Sequence, residues 1–211
     1  MLDLRPSRTV VDLGAGTGKL SRQLVATGAR VVAVEPVGEM RRWLEGVAGV
    51  EALDGTAEAI PLPNASADAA TAAQSFHWFR AGEALREAHR VLRPAAALAL
   101  VWNRLDRADP LTAAFATIVA RHRGHPSLED GGAWREAFSR TRLFMPHEPR
   151  TFANAQELDA EGLMERAASE SSIAILPDER RRAALDEVRE LAPTTVVLRY
   201  VTEVELYVRR P

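Results

Sequence analysis

The sequence predicts an α/β fold built on a doubly wound sheet, and three observations carry that expectation. Short apolar runs bounded by turn residues alternate with stretches of helical period through the first hundred residues. The first run, "TVVDLG" at 9–14, opens into a glycine bend, Gly14-Ala15-Gly16-Thr17-Gly18. The second run, "RVVAVEP" at 30–36, places an acid, Glu35, at its end, seventeen positions beyond Gly18. Strand, helix, strand in this order implies right-handed crossovers and a parallel sheet covered on both faces, with ligands beyond the carboxyl ends of the strands.

The elements follow in order. Further strand-type runs stand at 50–56 ("VEALDGT"), 67–75 ("ADAATAAQS") and 97–103 ("ALALVWN"). Met40, Trp43, Leu44 and Val47 recur at helical spacing, as do Ala84, Leu85, Ala88, Val91 and Leu92, with Pro94 closing the second helix. From Arg104 to about Thr141 the pattern is helix-like, with a loop "GHPSLEDGG" at 124–132. "FMPHEPRTF" at 144–152 carries two prolines, which favours an edge strand. A helix is expected at 177–191 on Leu185, Val188 and Leu191, its charges forming a solvated face. "TVVLRY" and "TEVELYVRR" alternate as two closing strands, with Val204, Leu206 and Val208 on one side.

Bulk properties limit the function. A chain of 211 residues, 46% hydrophobic, suits one well-buried core, so a single domain over 1–211 is expected. With 27 basic and 29 acidic groups the net charge is -2, which gives no global field to draw in nucleic acid or an anionic membrane. Lys19 is the only lysine, which, with abundant alanine, reads as coding bias rather than chemistry. Cysteine is absent, which excludes disulfides and thiolate chemistry. No leader and no apolar stretch of membrane-spanning length is visible, so a cytoplasmic protein is the default.

Spacing separates the ligands that use such a bend. A nucleotide P-loop is rejected, because no glycine precedes Gly18-Lys19 by four intervening residues and Leu20 stands where Ser or Thr must hold the metal. A dinucleotide fold asks for G-x-G-x-x-G, whereas the bend reads G-x-G-x-G. That weakens the nicotinamide reading without removing it, since both ligands use an acid such as Glu35 to hold ribose hydroxyls.

Taken together, "VVDLGAGTGKL", "VVAVEP", "DGTAEAIPLPNASADAATAAQSFHWF" and "EAHRVLRPAAALALVWN" resemble class I S-adenosylmethionine-dependent methyltransferases. The likeness is to the small-molecule branch with an H-W-F triplet after the fourth strand, and it covers residues 9–103. It implies a Rossmann-like, seven-stranded mixed sheet with the last two strands antiparallel, and S-adenosyl-L-methionine as cofactor. A cap over the acceptor site is expected from 104–170, because additions beyond the carboxyl ends of the strands are well placed to close over a ligand.

The resemblance assigns residues by their place in these blocks. Gly14, Ala15, Gly16 and Gly18 would approach the methionyl part of the cofactor. Asp12 would orient the loop and reach the ammonium, or else bond the amides of its own turn. Glu35 would accept both ribose hydroxyls, with Pro36 beside it. Thr56, Ala57 and Glu58 would border the adenine, Thr56 standing where many relatives carry aspartate; Glu58 equally suits a solvent-facing helix start. Gln74 would face the methyl group, and His77 is the candidate base, unless it caps the next helix while Phe76, Trp78 and Phe79 pack on the sheet. Trp78, Trp102 and Asn103 would border the acceptor. His89, His122, His125 and His147 show no metal-ligand spacing, so no metal is expected.

Two departures stand out. Relatives begin further upstream, with a segment that folds over the cofactor, so either an open site or an upstream native start is expected. Alanines replace the glycines of the 95–97 turn, which predicts a turn of different shape, because alanine resists positive φ. Methyl transfer to a small-molecule acceptor is therefore the expectation. A cofactor-binding relative without transfer activity and a nicotinamide-dependent oxidoreductase are the alternatives.

Overall fold

The computed structural model describes residues 2–122, 132–192 and 194–211. Its sheet has eight strands in the order β3-β2-β1-β4-β5-β8-β6, with β7 also paired to β8. The strands are β1 (Thr9–Leu13), β2 (Arg30–Val34), β3 (Val50–Leu53), β4 (Ala67–Ala73), β5 (Leu92–Leu105), β6 (Phe144–Pro146), β7 (Arg150–Leu158) and β8 (Val196–Arg209). Between them run α1 (Lys19–Val25), α2 (Gly38–Glu45), α3 (Ala81–Val91), α4 (Pro110–Arg121), α5 (Gly132–Arg140), α6 (Ala160–Ala168), α7 (Ser171–Ala174) and α8 (Asp178–Glu190). A single 3-10 turn, Phe76–Trp78, joins β4 to α3.

Strands β1 to β5 pair in parallel, and β6 runs antiparallel to β8. The winding reverses between β1 and β4, which places the ligand crevice of a doubly wound sheet at their carboxyl ends. Val10, Val11, Leu13 and the run Val31 to Val34 are all buried, as expected for strands covered on both faces.

The chain divides into two compact units. The first comprises Met1–Trp102, Leu128–Arg150 and Val204–Pro211. Its core gathers Val11, Leu13, Phe76, Leu85, Leu98, Trp102 and Trp134, with α3 contributing Ala84, Leu85, Ala88 and Val91 from one face. The second comprises Asn103–Ser127 and Thr151–Glu203, and packs Phe115, Val119, Leu163, Ile173, Val188 and Leu198 around its own centre. Its helices start cleanly. Asp109 accepts the Thr112 amide at 2.9 Å with Pro110 in the first turn, and Asp159 accepts the Gly162 amide at 2.8 Å. Among the described residues no helix is long and apolar enough to cross a membrane.

Three expectations need correction. The sheet has eight strands, not seven: Pro146 and Pro149 split the expected 144–152 strand into β6 and β7. The two closing strands are one, β8, because Val201 between them supplies no turn chemistry. The 95–97 turn keeps the glycine-like conformation, with Ala95 at φ 63°. There β4 pairs Ala67 with Leu92 and then Ala69 with Ala97, so β5 bulges between the two pairs and Ala95 absorbs the strain. The expected loop at 124–132 and His125 fall almost entirely outside the described residues.

Candidate functional site

The site is built within the first unit at the carboxyl ends of β1, β2 and β4. As β1 ends, the Gly14 amide donates to the Val34 carbonyl at 2.9 Å, which turns the loop across β2. Gly16 has φ 59° and would meet nothing within 4 Å were it given a Cβ, so its bare face looks onto open space. Gly18, at φ 83°, is different: a Cβ there would lie 2.6 Å from Leu44 Cδ2. Gly18 lets α1 and α2 pack and is not among the residues that line the cavity.

Glu35 locks this loop. It is 4% exposed, and its two oxygens accept separate amides, Gly16 N–H at 2.8 Å and Val37 N–H at 2.9 Å. Asp12 is 1% exposed and accepts the Ser21 hydroxyl at 2.6 Å and the Thr71 hydroxyl at 2.9 Å, tying β1 to α1 and β4. Its partners are these two hydroxyls rather than the amides of its own turn. Burial pushes its carboxyl up to about 6, against the pull of the two hydroxyl bonds.

These groups surround a cavity of about 700 Å³. Asp12, Gly14, Ala15, Gly16, Glu35, Pro36, Thr56, Ala57, Glu58 and Gln74 all line it, together with Trp78. Thr56 sits in a short turn whose carbonyl accepts the Ala59 amide at 3.2 Å, and Ala57 is buried. Glu58 opens no helix; its carboxylate accepts the Arg80 amide at 2.7 Å across the cavity wall. Gln74 leaves β4 at φ 53°, an unusual conformation for a side chain of this type, held by its amide bond to the Val101 carbonyl at 3.0 Å.

The expected acceptor residues separate. The 3-10 turn spaces its side chains about 120° apart. Phe76 therefore enters the core, Trp78 stands 67% exposed on the cavity rim, and His77 joins neither. The His77 ring lies 5.0 Å from Trp78 and 5.7 Å from Trp102, and burial lowers its pKa. It caps no helix, since α3 begins without a side-chain cap. Trp102 is fully buried, 5.1 Å from Trp134. His77 Nδ1 and Trp102 Nε1 are both buried without a hydrogen-bond partner among the described residues. Asn103 belongs to the second unit, where its oxygen accepts from Asn154 at 3.0 Å and Thr202 at 2.9 Å. His77, Trp102 and Asn103 are thus not brought onto the cavity wall.

Several wall residues went unassigned from sequence, among them Lys19, Leu20, Val37, Met40, Ser75, Phe79 and Arg80. Val37 and Met40 open the helix after Glu35, and Lys19 and Leu20 open the one after the glycine bend. Adjacency to those two motifs was the available signal. Among the described residues no group of three or more His, Asp or Glu is placed to hold a metal ion.

Comparison with known proteins places this geometry. Residues 11–100 match the methyltransferase domain model. An uncharacterised methyltransferase of Mycobacterium tuberculosis H37Rv is 37% identical over 189 residues, spanning 89% of this chain and 74% of that protein. A structure from Anaeromyxobacter dehalogenans, provisionally assigned as a type II methyltransferase, superposes with a TM-score of 0.73 at 25% identity, covering 99% of this chain and 92% of that one. The fold is also shared, at TM-score 0.52 and 16% identity over 100% of this chain and 74% of the other, with geranyl diphosphate C-methyltransferase from Streptomyces coelicolor A3(2). That structure contains Mg2+, geranyl diphosphate and S-adenosyl-L-homocysteine.

Proposed function

The chain belongs to the class I methyltransferases, and on that footing we propose that it moves a methyl group from S-adenosylmethionine to a small-molecule acceptor by in-line displacement. The observation that carries the reading is Glu35: a buried carboxylate on the wall of a 700 Å³ cavity, beside the open face of Gly16. A carboxylate offers about four lone-pair sites. Two hold the Gly16 and Val37 amides, which leaves two for a ribose diol.

The residues present fit this cofactor. The cavity volume lies in the range of small-ligand sites. Gly16 gives room for close approach, Val37, Met40 and Ala57 provide apolar surface for a ring, and Thr56 offers a hydroxyl to an exocyclic amine. Asp12 is the acid for an ammonium group, and the S-adenosylhomocysteine of the Streptomyces neighbour supports the same cofactor class.

When bound, the cofactor supplies an electrophilic methyl group on a sulfonium. The protein's task is to position the acceptor and exclude water, with a base needed only for a protonated acceptor. Gln74 and Trp78, both on the wall at the end of β4, are assigned to acceptor contact. Burial favours the neutral, proton-accepting form of His77, which makes it the base candidate, although its ring stands off the wall. Trp102 and Asn103 are assigned no direct contact. Nucleic acid and membranes are not proposed as partners, and a cytoplasmic location is part of this reading.

Thermal unfolding with S-adenosylmethionine, S-adenosylhomocysteine and NAD tests the reading. Ligand at 100 times its Kd adds about 2.7 kcal/mol, roughly 5–10 °C for a chain of this size. A rise with the two sulfur ligands and none with NAD is expected. A rise with NAD alone would overturn it.

A further inference from the structure

The strand order of the sheet ends on β3 and β6, and β7 offers a third free edge, since among the described residues it pairs only with β8. An open edge presents unpaired amides and carbonyls to any extended chain, and proteins blunt such edges by shortness, proline or charge. β3 has four residues and carries Glu51, which is paired to Arg30. β6 has three and ends on Pro146. β7 is different: it has nine residues, no proline, glycine or lysine, and no charge from Thr151 to Gln156. Its first eight residues are exposed, Phe152 among them at 47%. The strand is nevertheless tied in place, because Asn154 Nδ2 donates to Thr202 Oγ1 of β8 at 2.6 Å and to Asn103 Oδ1 of β5 at 3.0 Å. β7 is thus an ordered edge without protection.

The charges of the strand lie toward opposite ends, Arg150 at its start and Glu157 near its finish. A parallel copy would set like charges side by side, whereas an antiparallel copy sets the basic end of each strand against the acidic end of the other. A two-fold axis normal to the sheet keeps every side chain on its own face, so it must pass through a residue rather than between two. With the axis at Ala153, that small side chain meets its own copy, Arg150 stands opposite Gln156, Thr151 opposite Ala155, and no like charges oppose each other. The two Phe152 rings then lie on one face as diagonal neighbours, about 7–8 Å apart and within reach of each other. We propose that two copies of this chain pair antiparallel through their β7 edges, with the two-fold axis at Ala153, to form one continuous sheet.

Sedimentation at rising protein concentration tests it in the unmodified protein, Ala153→Lys and Ala153→Glu. Ala153 is exposed, so all three should share one urea midpoint. The unmodified protein is expected to approach twice the mass of one chain. Each charged variant opposes itself across the axis, and its dimer dissociation constant should rise about tenfold or more. An equimolar mixture of the two variants should recover the dimer, because lysine then faces glutamate. The absence of native cysteine gives a second readout. Ala153→Cys should form a disulfide between copies under mild oxidation, and Ala155→Cys, which stands opposite Thr151 rather than its own copy, should not. Unmodified protein that stays monomeric, leaving the edge to some other strand, overturns the proposal. So do charged variants that dimerise as well as the unmodified chain, or cross-linking in Ala155→Cys without cross-linking in Ala153→Cys.

Discussion

The Glu35 carboxylate holds the Gly16 amide at 2.8 Å, so the acid at the end of β2 and the open glycine of the β1 loop form one unit. On the proposed reading, ligand recognition and loop geometry cannot be changed separately at this point. Glu35→Gln keeps the size but sets an NH2 donor, in place of an acceptor oxygen, against one of the two backbone N–H groups. The expected outcome is a loss of about 2 kcal/mol, roughly 5 °C in Tm, together with lost cofactor affinity. Urea unfolding and calorimetry on the same variant check both. Unchanged affinity would remove Glu35 from the ribose site.

Asp12 gives a pH signature. Burial raises its pKa to about 6 from 3.8, so between those values the folded chain holds a proton that the unfolded chain releases. Its contribution to stability is therefore fullest below 3.8 and falls as pH rises to about 6. Asp12→Asn does not titrate. The stability of the unmodified protein relative to Asp12→Asn should fall by up to about 3 kcal/mol between pH 4 and 7. Urea unfolding across that range measures it, and a flat difference would contradict the buried, hydroxyl-bonded carboxyl.

Gly16 and Gly18 should respond differently to alanine. At Gly18 the added methyl strikes Leu44 at 2.6 Å, so Gly18→Ala should lose about 2–3 kcal/mol from combined overpacking and backbone strain. At Gly16 the methyl enters open space, so Gly16→Ala should lose only about 1 kcal/mol but block cofactor binding. Thermal unfolding with and without S-adenosylhomocysteine separates the two. Normal binding in Gly16→Ala would show that the ligand does not approach this face.

Ala95 offers a gain. It is exposed and held at φ 63°, where glycine carries no Cβ penalty. Ala95→Gly is expected to raise stability by about 0.5–1 kcal/mol, measured by urea unfolding. A loss would mean that the β5 bulge tolerates alanine without strain.

The parallel half of the fold was legible because its strands are buried on both faces and read as unbroken apolar runs, Val31 to Val34 most clearly. The carboxyl half was not. Strand β7 is exposed along nearly its whole length, so its sequence carries no burial pattern, and nothing at Val201 distinguishes one long strand from two. In the site, the bend after β1 and the place of Glu35 at the end of β2 follow from the strand pattern, while the roles expected of them come from the family resemblance. The placement of His77 does not follow from either, because three adjacent aromatic residues on a 3-10 turn diverge to three surroundings.

A crystal structure of the chain with S-adenosylhomocysteine tests the central claim most directly. The account predicts the ligand along the glycine bend, with its ribose hydroxyls on Glu35 and its thioether facing Gln74. A ligand bound elsewhere, or a ribose without contact to Glu35, would contradict it.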